Sequence, residues 1–285
     1  MKKTTILILL SIFIFTGRSM WAAAPENKNY LNGIKCYDRW EYGDAWKYFV
    51  AADEEEPNNG YIYYNAARTA FLLDNPQVSL KLLLKSFDYF KEDEIDGLGD
   101  AYLYMGFLAE SAWLYDLDIQ QPAIYYYNKA VECNPSDYNV WLKRGIFLDF
   151  NMQDFVNSNA DFEKAIQLAK NEVETYTRLG QSYEFEQNRL DDAIDVYRRS
   201  VANIKEYPYH HDDLARLLIK KGEFDEAAEV LLSGMEMAKE EMSNYSSIYD
   251  LPAKQKDYLK KQIEKRSKEN PTEGYWIQYL NALQE

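Results

Sequence analysis

Small and large apolar residues recur along this chain with a helical period. In AIYYYNKAVECNPSDYNVWLKRG, residues 123–145, Ala123, Tyr127 and Ala130 follow one another at intervals of four and three. That spacing puts them on one face of a helix, two small residues flanking one ring, so that a second helix can approach closely. Asn134-Pro135 stops the helix, because the residue before a proline is pushed out of the helical region. Asp137 is placed to cap a second helix, in which Trp141 and Gly145 again pair a large residue with a small one. Helix, short turn, helix is the predicted unit.

The unit recurs. The small residue of each first helix is Gly33, Ala67, Gly106, Gly145, Gly180 and Ala215, at intervals of 34, 39, 39, 35 and 35 residues. Each second helix carries a small-large-small trio: Ala45, Phe49 and Ala52; Ser79, Leu83 and Ser86; Ala123, Tyr127 and Ala130; Ser158, Phe162 and Ala165; Ala193, Tyr197 and Ser200; Ala227, Leu231 and Gly234. Two loop insertions are expected to account for the longer intervals: the acidic, glycine-containing run Glu92–Gly99, and Leu117–Pro122 inside the third unit. Surface loops tolerate such additions.

The pattern resembles the tetratricopeptide repeat, a 34-residue helix-turn-helix unit, over roughly residues 26–239. The large-x2-L-G-x2-Y signature falls on Tyr176, Leu179, Gly180 and Tyr183, and the G-x-Y/F-x-x-A signature on Gly222, Phe224 and Ala227. The terminal proline is present at Pro57 and Pro135, and the second unit keeps only the size pattern, at Ala67, Ala70, Ser79 and Ser86. The resemblance implies an all-α, right-handed superhelical solenoid of six repeats (26–59, 60–98, 99–137, 138–172, 173–207 and 208–240), with first helices lining a concave groove. Physics points the same way: one helical hairpin cannot bury its apolar face alone, but stacked hairpins make a continuous core.

Outside the repeats, Met1–Ala24 reads as a secretory signal, with Lys2 and Lys3 before an apolar run from Thr4 to Thr16 and small residues for cleavage after it. The expected location is exported and periplasmic, with an uncleaved membrane anchor as the alternative. Residues 241–285 are expected to cap the last repeat: a polar connection over Met242–Pro252, a helix with a basic face over Ala253–Lys268, and a last helix over Thr272–Leu283.

Composition narrows the function classes. The net charge of −15 becomes −18 once Lys2, Lys3 and Arg18 are removed, and no basic, aromatic-studded patch appears, so nucleic acid is not an expected partner. Twelve Gly and eight Pro in 285 residues do not suit a turn-rich all-β chain, and 25 Tyr suit wide amphipathic helix surfaces. No catalytic constellation is visible. His210 and His211, the two histidines, are adjacent and point about 100° apart on a helix, a poor chelating pair. The acidic clusters Asp53–Glu56 and Glu92–Asp96 lack the spacing and central glycine of a calcium loop. Cys36 and Cys133 sit on helices too far apart for a disulfide. No cofactor or metal is expected.

A protein or peptide is therefore the expected partner. By the geometry the resemblance implies, residues one turn from the small packing positions face the groove: Tyr30, Ile34, Tyr37, Tyr61, Tyr64, Arg68, Phe71, Leu103, Phe107, Leu142, Ile146, Asp149, Gln181, Glu184 and Arg216. The N-terminal part of that set is aromatic and apolar, the rest more polar. Asn65, Asn139 and Lys143 do not assemble the Lys/Asn carboxylate clamp that some members of the family use, and an aromatic groove suits an apolar segment or helix. The alternative is an accessory subunit of an envelope secretion, outer-membrane biogenesis or polysaccharide-handling assembly, docking by its convex face or basic C-terminal helix. Membrane association is expected only through an uncleaved signal or that helix.

Overall fold

The computed structural model describes residues 26–238, 246–269 and 279–280, which carry fourteen α-helices and no strand. The signal expected over residues 1–24 lies outside them. So does most of the helix expected over 272–283, of which Tyr279 and Leu280 are helical. Among the described residues no helix is long and apolar enough to cross a membrane. The chain divides into two compact units, Met1–Pro135 and Ser136–Glu285, so the break follows the Asn134-Pro135 stop.

Each unit holds three helical hairpins. The first pairs α1 (Lys28–Asp38) with α2 (Tyr42–Glu55), α3 (Gly60–Leu72) with α4 (Pro76–Phe87), and α5 (Ile95–Glu110) with α7 (Ala123–Cys133). The four-residue α6 (Ala112–Tyr115) lies in the turn of the third hairpin. The second unit pairs α8 (Tyr138–Phe147) with α9 (Phe155–Leu168), α10 (Val173–Gln181) with α11 (Leu190–Asn203), and α12 (Tyr209–Lys221) with α13 (Phe224–Ala238). Helix α14 (Ala253–Glu269) packs on α13.

Local chemistry explains the helix starts. Asn27, Asn59, Asp137 and Asp154 each accept from backbone N–H groups of the first turn that follows, satisfying donors the helix leaves unpaired. Pro76 occupies the first turn of α4, where its missing N–H costs nothing.

The hairpins close on one repeated contact. A Cβ placed on Gly33 would lie 2.6 Å from Phe49, on Gly106 2.8 Å from Tyr127, on Gly145 2.9 Å from Phe162, and on Gly180 2.7 Å from Tyr197. Each partner is the large member of the trio in the same hairpin, and all four rings are almost fully buried. Burying such a ring contributes about 1.5–3 kcal/mol, provided the facing helix carries no side chain there.

Three expectations need correction. Glu92–Gly99 is not a loop throughout, because α5 already begins at Ile95. Gly97 and Gly99 are packing positions: a Cβ there would meet Tyr61 at 2.6 Å and Asn134 at 2.5 Å. The connection before α14 is not simply polar, since its 3₁₀ turn Ser246–Asp250 buries Ile248 and is tied down by Ser247 N–H donating to Asp212 Oδ1 at 3.0 Å. The basic face of α14 is partly engaged by α13, through Arg266 and Lys254. Tyr258 donates to Glu229, Arg266 pairs with Glu236, and Gln255 and Lys254 meet Asp225.

Helices α8 and α10 end in π-helical turns, Leu148–Met152 and Ser182–Glu186. The cause is a count. From the small residue to the first member of the trio is 12 residues in the first, second and sixth repeats, but 13 from Gly145 to Ser158 and from Gly180 to Ala193. One surplus residue fits a π-turn, which widens the helix by one position. The third repeat, with 17 residues from Gly106 to Ala123, instead spends its surplus on α6 and the segment after it.

Candidate partner-binding surface

Numbered from the small residue of each first helix, the residues expected to line the groove, Tyr61 apart, fall into three rows. Three positions before it stand Tyr30, Tyr64, Leu103 and Leu142, all buried at 4% exposure or less. Tyr30 packs on Phe49 with ring centroids 6.0 Å apart, and its hydroxyl accepts from Asn65 Nδ2 at 3.1 Å. This row faces into the hairpins rather than outward. Tyr61, a turn further back, is also buried, against Phe90 at 5.2 Å. Burial is the main cause that lifts its phenol to about 12.

One position after the small residue stand Ile34, Arg68, Phe107, Ile146, Gln181 and Arg216. Of these Ile34, Ile146, Gln181 and Arg216 are half-buried, while Arg68 and Phe107 are buried. Four positions after it stand Tyr37, Phe71, Asp149 and Glu184, of which Tyr37 is half-buried and the others buried. The surface these residues offer is therefore smaller than the full set, and it is carried mainly by the row next to the small residue.

In the first unit this face gathers around a cation. Arg68 Cζ lies 4.5 Å from the Tyr37 ring centroid and 5.4 Å from that of Tyr64, and Nη1 donates to Asn65 Oδ1 at 3.2 Å. Beside it the Phe71 ring meets Phe107 at 5.2 Å, Tyr115 at 5.4 Å and Tyr104 at 6.5 Å, edge to face. Edge-to-face pairs and a guanidinium over a ring are the arrangements the ring quadrupole favours. Ile34 and Tyr37 are the candidates that lie at its half-exposed side.

In the second unit charge replaces the rings. Arg216 makes paired bonds to Glu184 at 2.5 and 2.9 Å and reaches Asp213 at 3.4 Å. Burial raises the Asp213 carboxyl, against the pull of Arg216. Glu174 faces both Lys143 and Arg178 at 3.5 Å. Asp149 accepts from Ser182 Oγ at 2.5 Å and Ser158 Oγ at 3.3 Å, and burial raises its carboxyl despite those bonds. Lys143, Arg178 and Asp213 were not among the expected residues. They stand two positions before the small residue, one turn from the half-exposed row, so extending that row by three would have found them.

Both histidines are buried. His210 Nε2 and Thr177 Oγ1 form a hydrogen bond at 2.8 Å, Nδ1 contacts Ser200 Oγ, and the rings of Tyr197 and Tyr207 stand 5.3 and 4.7 Å away. Burial, then the neighbouring His211, pulls the His210 imidazole down to about 4. Among the described residues no cluster of three or more His, Cys, Asp or Glu could hold a metal ion. Cys36 and Cys133 are free thiols.

Residues 211–243, which take in most of the last hairpin, match the family model of the tetratricopeptide repeat. The chain carries a tetratricopeptide repeat. Its fold is shared with solved proteins. The C-terminal part of a tetratricopeptide repeat-containing protein from Cytophaga hutchinsonii superposes with a TM-score of 0.58 at 15% identity, over 89% of this chain and 95% of that one. Pseudomonas aeruginosa pilF gives 0.55 at 13% identity, over 78% and 95%. Yeast Tom70 gives 0.53 at 17% identity, over 94% of this chain and 58% of Tom70. No curated protein matches the sequence. At these identities the likeness establishes the all-α helical-repeat fold.

Proposed function

We propose that this tetratricopeptide-repeat chain is a non-catalytic scaffold of the cell envelope, exported by its N-terminal signal, that holds a protein or peptide on the first-helix face of its N-terminal unit. The observation that carries this reading is the half-exposed pair Ile34 and Tyr37 in front of Arg68 and its buried rings. Such a face offers apolar area backed by buried rings and by Arg68, with little conformational entropy to lose, which suits an extended or helical apolar segment. The corresponding face of the second unit supports the reading by contrast, since Glu174, Glu184 and Asp213 already have cationic partners there. Docking through the basic C-terminal helix has less in its favour, because Arg266 and Lys254 have partners on α13.

The test is a photo-crosslinking residue placed at Ile34 or Tyr37 in the native host, with exposed Lys81 on α4 as the control. A discrete adduct from positions 34 and 37, absent at 81, supports the reading. Equal adducts at all three positions, or none from 34 and 37, would overturn it. Alanine at Tyr64 or Phe71 is unsuitable as a test, since both side chains are buried and their loss would unfold the unit before it reported on binding.

A further inference from the structure

The turns that join first to second helices in the N-terminal unit carry apolar side chains that folding does not ask for. Helix α1 ends with Trp40 N–H donating to Tyr37 O at 2.9 Å and Glu41 N–H to Cys36 O at 2.9 Å. Helix α3 ends with the same two bonds, Asp74 to Phe71 at 3.0 Å and Asn75 to Ala70 at 2.9 Å, and α12 with Gly222 to Ile219 and Glu223 to Leu218 at 3.0 and 2.9 Å. Trp40, Asp74 and Gly222 stand seven residues after the small residue of their repeats, with φ of 67°, 62° and 89°. This helix ending favours glycine, because a Cβ in the left-handed region is strained, most of all on a bulky residue. The sixth repeat uses glycine there; the first uses tryptophan, 67% exposed and so barely repaid by burial.

The neighbouring turns of the same unit continue the pattern. Leu72 and Leu73 are 40% and 36% exposed at the end of α3. Trp113, in the turn of the third repeat, is 80% exposed. That turn is anchored: Gln77 Nε2 donates to Tyr115 O at 3.0 Å, and Tyr115 packs on Phe71 at 5.4 Å, so Trp113 is held outward. The α1 and α3 ends are joined by Arg68 on Tyr37. Adjacent first helices stand about 8–10 Å apart, so Trp40, the leucine pair and Trp113 form an edge roughly 20 Å long.

The charge around this edge has one sign in excess. Asp38, Glu41, Asp74, Asp116 and Asp118 are exposed along it, against Lys35 and Arg39, and Arg39 already faces Glu41 at 3.5 Å. An apolar strip within carboxylates complements a segment that presents apolar anchors between Lys or Arg side chains, and it repels an anionic bilayer. The geometry points to this turn edge as a second docking surface, separate from the first-helix face, for a basic, apolar segment of another protein.

A labelled amphipathic peptide built only of Lys and Leu, about 14 residues and roughly 20 Å long as a helix, is the probe. Saturable binding to the full chain is expected, weakened about ten-fold or more by Trp40→Gly with Trp113→Ser, and likewise by Asp74→Lys with Asp116→Lys. Binding should fall steeply as salt rises from about 0.01 M to 1 M, which shortens the Debye length from about 30 to 3 Å. A peptide with Glu in place of Lys should not bind. Trp40→Gly alone should raise Tm while it weakens binding, because it relieves the strained turn. No saturable binding, unchanged affinity in both double variants, or a lowered Tm for Trp40→Gly would each overturn the inference. So would tryptophan-dependent binding to phosphatidylcholine vesicles, or tryptophan-dependent self-association in sedimentation, because either would give the edge a different occupant. Ile34 and Tyr37 are untouched in these variants, so loss of peptide binding here leaves the crosslinking result at those positions independent.

Discussion

Acid should destabilise the second unit through one histidine. His210 is 1% exposed, between two hydroxyls and two tyrosine rings. The hydroxyls of Ser200 and Thr177 can donate or accept, so they satisfy either neutral tautomer; they bring no negative charge to an imidazolium. Its folded pKa is down to about 4, against 6.5 when free. The unfolded chain therefore takes up a proton as pH falls below 6.5 and the folded chain does not until about 4. Stability is full above 6.5, declines through that window and levels off below it. At 1.36 kcal/mol per pH unit the whole window is worth about 3 kcal/mol, and by pH 4.5 about 2.5 kcal/mol should be gone. His211 is also pulled down by burial and adds in the same direction. Asp149, Asp161 and Asp213, raised by burial, act in the opposite direction. The informative quantity is therefore the difference between the parent and His210→Gln, which cannot titrate. Urea denaturation at pH 7.5 and 4.5 on both proteins measures it. The parent should lose about 2.5 kcal/mol more than the variant. Parallel losses would mean that His210 is hydrated or paired in a way this packing does not contain.

Three other perturbations test the packing itself. Gly145→Leu drives a side chain into Phe162, 2.9 Å from the nearest Cβ position, and should cost about 1–3 kcal/mol in urea denaturation; unchanged stability would refute the glycine-on-ring contact. Arg216→Ala leaves Glu184, whose side chain is only 4% exposed, without its paired donor. The expected loss is roughly 1–3 kcal/mol, at the lower end because the Arg216 side chain is a third exposed, and Glu184→Gln in the same background should recover part of it. Leu259→Ala empties a fully buried site on α14 and should cost about 2–5 kcal/mol, with faster amide exchange along α13; exchange confined to α14 would mean that it does not cap the last repeat.

Much of the fold could be read from residue size. Gly33, Gly106, Gly145 and Gly180 and the rings they face are all visible as a period, because one contact is repeated and each repetition leaves the same pair of residues. Asp137 could be read as a cap because its chemistry is local. Gly97 and Gly99 were misleading because a glycine needed for close approach and a glycine needed for a loop are the same letter. The π-turns were legible in principle: the interval of 13 rather than 12 from Gly145 to Ser158 and from Gly180 to Ala193 states the surplus residue, but not that the helix would absorb it. The candidate surface was legible as a set of helix faces. Which row reaches solvent was not, since exposure of Ile34 but not of Leu103 depends on what the neighbouring helix places against each.

Repetition supplies its own controls. Where three repeats end a helix with the same two hydrogen bonds, folding makes the same demand at Gly222, Asp74 and Trp40, so the choice of tryptophan reports on something other than the turn. The same comparison applies to the first-helix faces. In the fourth and fifth repeats Asp149 and Glu184 are buried, and each then requires partners: Ser158 and Ser182 for one, Arg216 for the other. Once Lys143, Arg178 and Arg216 are engaged by carboxylates, an incoming segment must break charge pairs to use them, and part of its binding energy goes into doing so. The first unit has no such obligation at Ile34 and Tyr37, and along the edge from Trp40 to Trp113 the ion pair at hand is the exposed Arg39–Glu41 contact. On energetic grounds the first-helix face is more open to a partner in the first unit than in the second, although the second unit's turns also expose apolar side chains at Phe150, Met152 and Phe185.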